Sequence, residues 1–332
     1  MPLWLVTVLA IVAALTAISG AFYAALPRIV QPLLRCLLCL HYRVKVTGLE
    51  NLPLTGPVLI VSNHVSWLDG FFIAAFTPRR GGALVSADIV NRPIVRQLAV
   101  RSGMIPTPFS GPRAIREALR SGGVLLDRSE VLAIFPEGQI TRIGMVGPFL
   151  RGMEVILRGR PHVAVVPVAL DNMWGSILSA SDGRFFRKWP QGWRRTVVIA
   201  FDPPLPAPVS AFSARQGVVE AVVRARALTG TPSHALETLD PALPRWVHSD
   251  LGLLAASAAD YDDGYVRQSG GKPGSVGLAV PGVALRAVNG AGVPLPSGTE
   301  GRLEALLPGR PGWVDTSCRG SLDACGFVRI VE

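Results

Sequence analysis

Between residues 42 and 201 one pattern recurs: a short β-branched and aliphatic run, then a stretch with helical spacing. The runs are YRVKV at 42–46, PVLIVS at 57–62, GALVSA at 82–87, VLAIF at 131–135, VAVVPVAL at 163–170 and VVIAF at 197–201. Val and Ile occupy both faces of these predicted strands, as in a sheet covered on both sides. The clearest helix between them is PRAIREALRSGG at 112–123, with Pro in its first turn, Ile115 and Leu119 four apart, and glycines at its end. The alternation predicts an α/β fold: a sandwich with a central, mostly buried sheet flanked by helices. Pro167 is awkward within VAVVPVAL and is expected at a sheet edge or a bulge.

The pattern stops at the proline-rich FDPPLPAPVSAF, near residue 205. A helix is predicted over about 210–228, a weakly patterned linker over 229–264, and a small β-rich appendage, full of Gly, Pro and Val, over 265–332. Upstream, Leu3 to Leu26 holds no charged residue, enough for a helix across a bilayer. No basic residue precedes it, as a signal peptide would require, so it reads as a retained anchor. The first charges, Arg28, Arg35, Arg43 and Lys45, follow it, which predicts that the rest of the chain faces the cytoplasm at the inner membrane. Residues 29–40, IVQPLLRCLLCL, are expected to lie in the membrane interface or to re-enter it, with Arg35 reaching for headgroups. The expected domains are thus an anchor over 1–41, the α/β unit over 42–228, the linker and the appendage.

Charge narrows the partners. With 33 basic and 23 acidic residues the net charge is +10, which suits anionic partners. No zinc-finger spacing, RNA-binding signature or block of five like charges is present, so anionic lipid is favoured over nucleic acid. Cys36 and Cys39 form a CxxC among leucines, and Cys318 and Cys325 lie near the C-terminus. This usage predicts neither a metal site nor a disulfide framework.

Directly after the second predicted strand stands NHVSWLDG, residues 63–70. Ser66 and Asp69 are spaced as a helix-capping box. His64 and Asp69 are five apart, about 140° around a helix, so they share no helical face. They could meet only if His64 precedes a helix starting at about Ser66 and folds back; the carboxylate would then fix the tautomer and leave one ring nitrogen free to accept a proton. A second cluster, FPEGQITRIG at 135–144, follows the fourth predicted strand. Its Glu137, Gly138, Gln139, Thr141 and Arg142 offer a carboxylate, a turn and donors suited to a phosphate, or else an ordinary polar loop. PFLRG at 148–152 adds another basic turn.

Taken together, NHVSWLD, FPEGQITR and VVPVAL resemble the first, third and fourth motifs of the glycerolipid acyltransferase family, over about residues 42–228. EGQITRIG, PFLRG, WGSI and GRFF are most similar to the acyltransferase half of bifunctional acyltransferase/acyl-acyl-carrier-protein synthetases. The resemblance implies a glycerolipid-acyltransferase-like sandwich in a membrane-bound O-acyltransferase of phospholipid synthesis or remodelling. Its acceptor would be a lysophospholipid, 1-acylglycerol-3-phosphate or lysophosphatidylethanolamine, and its donor acyl-CoA or acyl-carrier protein as co-substrate, with no cofactor or metal. His64 would be the general base and Asp69 its orienting partner. Asn63, Ser66, Glu137, Gly138, Gln139, Thr141, Arg142, Arg151 and Gly152 would bind substrate, and Pro167 would line the acyl or acceptor site. The second motif departs from the family in GMIPTPFSGPR at 103–113, where Arg113 would stand in for the usual charged residue. The third carries Ile140 where an Arg is common, with Arg142 two residues on. The tail, 272–332, resembles a degenerate fragment of the adenylate-forming acyl-activating enzymes. It has Thr316-Ser317-Cys318 where those hold ribose, so no ATP-dependent activation is expected. The alternative is a catalytically silent membrane-associated protein derived from such a bifunctional enzyme.

Overall fold

The computed structural model describes residues 30–90, 103–108, 110–181, 185, 194–230, 234–237 and 239–331. The span predicted at 3–26 lies outside these. Among the described residues no helix is long and apolar enough to cross a membrane.

Seven strands build the first sheet: β1 (Arg43–Thr47), β2 (Val58–Ser62), β3 (Gly81–Ser86), β4 (Met104–Thr107), β5 (Val131–Ile134), β6 (Ala164–Asp171) and β7 (Thr196–Phe201). Their order is β1-β7-β6-β2-β5-β3-β4. Only β6 and β7 pair antiparallel; the other neighbours are parallel. All five residues of the central β2 are buried. Val58 and Ile60 face one layer, with Tyr42, Phe72 and Phe76, whereas Leu59 and Val61 face the other, with Leu126, Met153, Ile156 and Val218. This two-sided burial is what a near-continuous Val/Ile/Leu run encodes. It contributes about 1.5–3 kcal/mol for each such side chain.

The first layer is α1 (residues 30–41) and α2 (Asp69–Phe76). The second is α3 (Pro112–Asp127), α4 (Gly152–Leu157) and α5 (Ala211–Thr229). Ser210 and Ser213 close a capping box at the start of α5, and Gly230 ends it in the left-handed conformation. Arg35 is exposed, as expected, but it is also tied to the neighbouring helix. Its Nε donates to the Ala75 carbonyl at 3.2 Å and its guanidinium lies 4.9 Å from the Phe76 ring centre. Gln31 Nε2 donates to Ala74 and Thr77 carbonyls at 3.1 and 2.7 Å. Together they satisfy carbonyls that the C-terminal end of α2 leaves unpaired.

Pro167 is on neither an edge nor a bulge, for β6 lies inside the sheet. The antiparallel pairing with β7 begins one residue later, at Val168 opposite Phe201. Beyond it Asp202 N–H donates to the Pro167 carbonyl at 2.9 Å as the chain turns away. The missing proline donor therefore falls at the end of a ladder.

A second sheet is wholly antiparallel, in the order β13-β14-β15-β16-β12-β9-β8. Its strands are β8 (Arg245–His248), β9 (Gly252–Ala256), β12 (Gly277–Ala279), β13 (Ala284–Val288), β14 (Gly301–Leu306), β15 (Val314–Leu322) and β16 (Phe327–Val331). Between them β10 (Tyr261–Asp262) and β11 (Arg267–Gln268) make a separate hairpin. The stretch expected as linker is thus largely structured, and the second unit starts at Arg245 rather than at residue 265. Trp246, Leu254 and Ala255 bury against Leu285, Leu303 and Val328, partners too distant in sequence for local patterning to announce. Within β15 the Thr316 hydroxyl donates to the Leu303 carbonyl at 2.7 Å. The two units pack together: Val219 and Val223 of α5 meet Ala284 and Leu306, and Ile143 and Met145 meet Leu278 and Phe327.

Candidate active site

β2 and β5 are parallel neighbours, so the loops that follow them leave the same sheet edge, where sites gather in open α/β sheets. These loops are residues 63–68 and 135–151. Asn63 fastens the first. Its Nδ2 donates to the Leu170 carbonyl and its Oδ1 accepts the Leu170 N–H, both at 2.9 Å. Replacing Asn63 with Ala would leave that buried main-chain pair unsatisfied, and we expect a loss of roughly 2–4 kcal/mol in denaturant unfolding.

His64 folds back on α2. Its Nδ1 lies 2.9 Å from Asp69 Oδ2, with the carboxylate fully buried and the imidazole 21% exposed. The same Oδ2 accepts the N–H groups of Val65 and Ser66 at 2.5 and 2.7 Å, and Oδ1 accepts the Ser66 hydroxyl at 2.5 Å. Four donors thus hold one carboxylate. The helix itself starts at Asp69, three residues later than the sequence suggested. Ser66 Oγ takes the Leu68 N–H at 3.2 Å, so Ser66 to Leu68 form a turn rather than a first helical turn. The imidazole also stacks on Phe135, with centroids 4.2 Å apart and planes 18° apart. Given a carboxylate acceptor, the ring carries its proton on Nδ1, and Nε2 makes no hydrogen bond among the described residues.

The second loop grips the main chain of His64 from both sides. Glu137 Oε1 accepts the His64 N–H at 2.8 Å, and the Thr141 N–H donates to the His64 carbonyl at 2.8 Å. Glu137 Oε2 accepts the Gly147 N–H at 2.9 Å. Both carboxylate oxygens are therefore engaged within the protein, which makes Glu137 a positioning residue here. Burial pushes its carboxyl up to about 7, against the pull of the N–H donors from His64 and Gly147 and of Arg215. Gly138 turns the loop at φ +72°, and a Cβ there would come 2.6 Å from Leu150 Cδ1. The Thr141 hydroxyl is also internal, donating to the Met145 carbonyl at 2.9 Å. Gln139 Nε2 donates to the Arg267 carbonyl at 3.2 Å. Arg142 lies between the units, its guanidinium 4.6 Å from the Phe185 ring centre and 4.9 Å from that of Tyr261.

Four residues named from the sequence stand apart from this cluster. Arg113 is exposed in the first turn of α3, beyond β4. That strand is three places from β2, roughly 14 Å at the usual strand spacing. Arg151 pairs on the surface with Glu154 at 2.8 Å, and Gly152 packs beneath Leu119. Pro167 lies under Gly217 of α5, on the sheet face opposite Phe72. Sequence reasoning missed Phe135, Gly147 and Arg215. Only Phe135 left a signal, as the last apolar residue before the polar loop. Arg215, buried on α5, donates from Nε to the Gly147 carbonyl at 3.0 Å and from Nη2 to the Val146 carbonyl at 2.8 Å. Burial lowers its guanidinium to about 10.

A family model described as Acyltransferase matches residues 43–171, which hold both loops. The chain is 29% identical over 143 residues to the chloroplastic 1-acyl-sn-glycerol-3-phosphate acyltransferase LPAT1 of Arabidopsis thaliana, covering 43% of this chain and 40% of that protein. It is 33% identical over 118 residues to an uncharacterized protein of Mycobacterium tuberculosis, covering 33% of this chain and 30% of that protein. The matched stretches thus span less than half the length of these relatives. The crystal structure of the 1-acyl-sn-glycerophosphate acyltransferase PlsC from Thermotoga maritima aligns with 61% of this chain and 79% of its own, at 21% identity and a TM-score of 0.48. Residues 43–171, with the His64–Asp69 pair at the end of β2, are thus the part of this chain that is similar to the acyltransferase family.

Proposed function

We propose that the chain transfers a fatty acyl group from acyl-CoA or acyl-carrier protein to the free hydroxyl of a lysophospholipid at a membrane surface. The observation that carries this reading is the His64–Asp69 pair, with Nδ1 held at 2.9 Å by a buried carboxylate and Nε2 open. In the reaction the acceptor hydroxyl gives its proton to Nε2 while its oxygen attacks the thioester carbonyl carbon. The tetrahedral intermediate collapses with cleavage of the C–S bond, and the departing thiolate takes the proton back from the imidazolium. The base is regenerated and no acyl-enzyme forms. The acceptor class is supported by the acyltransferase relatives and by Arg142, a cation in the loop bonded to His64.

Attachment to lipid has its own support. On α1, Leu33, Leu37 and Leu40 are 55%, 57% and 69% exposed at helical spacing, and Phe71 of α2 is 46% exposed. Such a face favours the acyl boundary of a bilayer over water. The test is an assay in isolated membranes of lysophosphatidate and lysophosphatidylethanolamine, each with acyl-CoA and with acyl-carrier protein. Diacyl product is expected from one acceptor–donor pair at least. Absence of product from all four would reject the reading.

A further inference from the structure

The β10–β11 hairpin of the C-terminal unit registers Tyr261 opposite Gln268, so both side chains leave one face. Both meet the loop that grips His64. Gln268 Oε1 accepts the Arg142 N–H at 2.6 Å, and its Nε2 donates to the Ile140 carbonyl at 3.1 Å. Gln139 returns a bond to the hairpin through the Arg267 carbonyl at 3.2 Å. The Tyr261 ring lies against the Arg142 guanidinium, with Phe185 as its second aromatic neighbour. Main chain and side chain of Arg142 are thus both set from the appended unit.

What Arg142 lacks is a directly paired anion, although the N–H groups of Val266 and Tyr265, helped by its charge, hold the nearby Asp263 carboxyl low. Among the described residues no carboxylate lies within ion-pair distance of it, and its Nε is buried with no acceptor. The carboxylate of Asp263, nearby in the hairpin, is taken by the N–H groups of Val266 and Tyr265 and by the Tyr261 hydroxyl, at 2.7, 3.0 and 3.0 Å. Ring faces attract a guanidinium but accept no hydrogen bond in its plane, so its planar fork of donors stays available to two oxygens of one group. Thr141, the preceding residue, donates its N–H to the His64 carbonyl, which ties this cation to the loop of the base.

We propose that the C-terminal unit completes a phosphate site in the acyltransferase domain: Tyr261 and Gln268 fix Arg142 to receive a phosphate group. Recognition of that phosphate therefore depends on a part of the chain outside residues 43–171. This rests on the reading that the substrates carry phosphate, as both a lysophospholipid and CoA do. Tyr261 and Gln268 are positioning residues, because they act through Arg142.

The test compares equilibrium binding to the full chain in detergent of 1-acylglycerol-3-phosphate, of the phosphate-free 1-monoacylglycerol, and of CoA. Tyr261→Leu keeps bulk without a ring face, Tyr261→Phe keeps the ring, and Gln268→Ala removes both loop bonds. Tyr261→Leu and Gln268→Ala are each expected to weaken binding of one phosphate ligand about tenfold. They should leave monoacylglycerol binding unchanged, and Tyr261→Phe, which keeps the ring but frees Asp263 Oδ2, should bind more tightly than Tyr261→Leu. Loss for 1-acylglycerol-3-phosphate assigns the site to the acceptor; loss for CoA assigns it to the donor. Equal loss for monoacylglycerol, or no loss for either phosphate ligand, overturns the inference. So does a parent protein that binds neither phosphate ligand better than monoacylglycerol. If the binding shifts appear but no acyl transfer occurs, the transferase reading fails and the phosphate site stands.

Discussion

Replacing His64 with Ala is expected to lower acyl transfer by about 10²–10⁴-fold, the range that a positioned general base supplies. The imidazole is partly exposed, and its side-chain contacts are the Asp69 carboxylate and the Phe135 face. Its loss leaves no large cavity, and Asp69 keeps three other donors, from Val65 N–H, Ser66 N–H and the Ser66 hydroxyl. The variant should therefore fold, bind lysophospholipid as before and lose the rate, so that kcat falls while acceptor affinity holds. Initial rates beside equilibrium binding separate the two quantities, and a variant that keeps the parent rate would remove His64 from the mechanism. Asp69→Asn is the less clean experiment. An amide cannot accept from all four donors, so it would disturb the turn as well as the tautomer.

The parts of this site legible in the sequence are those written locally. NHVSWLDG and FPEGQITRIG each follow an apolar run, and each run is a buried interior strand, β2 or β5, whose two-sided burial its own residues encode. The fold-back of His64 was likewise inferable from an offset that no helix face can satisfy. The helix start was displaced because the Asp69 carboxylate takes the N–H groups of both Val65 and Ser66, a choice made by side-chain geometry rather than propensity. Pro167 misled because where the β6–β7 ladder ends is set by the exit of β7, far along the chain. Arg215 and Gln268 were invisible for the same reason. Each acts on main-chain carbonyls or N–H groups more than sixty residues away, and a carbonyl has no signature in sequence. Arg113 was named by resemblance and Arg151 as part of a basic turn, and exposed positions carry no packing constraint that would hold them near the base.

Glu137 supplies the expected result with the clearest pH signature. Its carboxyl is raised from 4.5 to about 7, chiefly by burial, so between these values the folded protein holds a proton that the unfolded chain has released. Stability must then fall as pH rises through this window, by about 3 kcal/mol in all, and level off above pH 7. Glu137→Gln removes the titration. Its amide can accept from only one of the two N–H groups, His64 or Gly147, and turns a donor towards the other, a cost of about 1–3 kcal/mol. The stability gap between parent and variant should accordingly be widest near pH 5 and shrink towards pH 8, a comparison that cancels every other titrating group. Acyl transfer by the variant should drop by about tenfold even at pH 8, because the His64 main chain or its Gly147 brace is released where the stabilities converge. Denaturant unfolding of both proteins across this range, beside their rates, measures each part. A gap that stays constant with pH would show that Glu137 does not titrate between these limits. An undiminished rate would show that its two hydrogen bonds do not position the base.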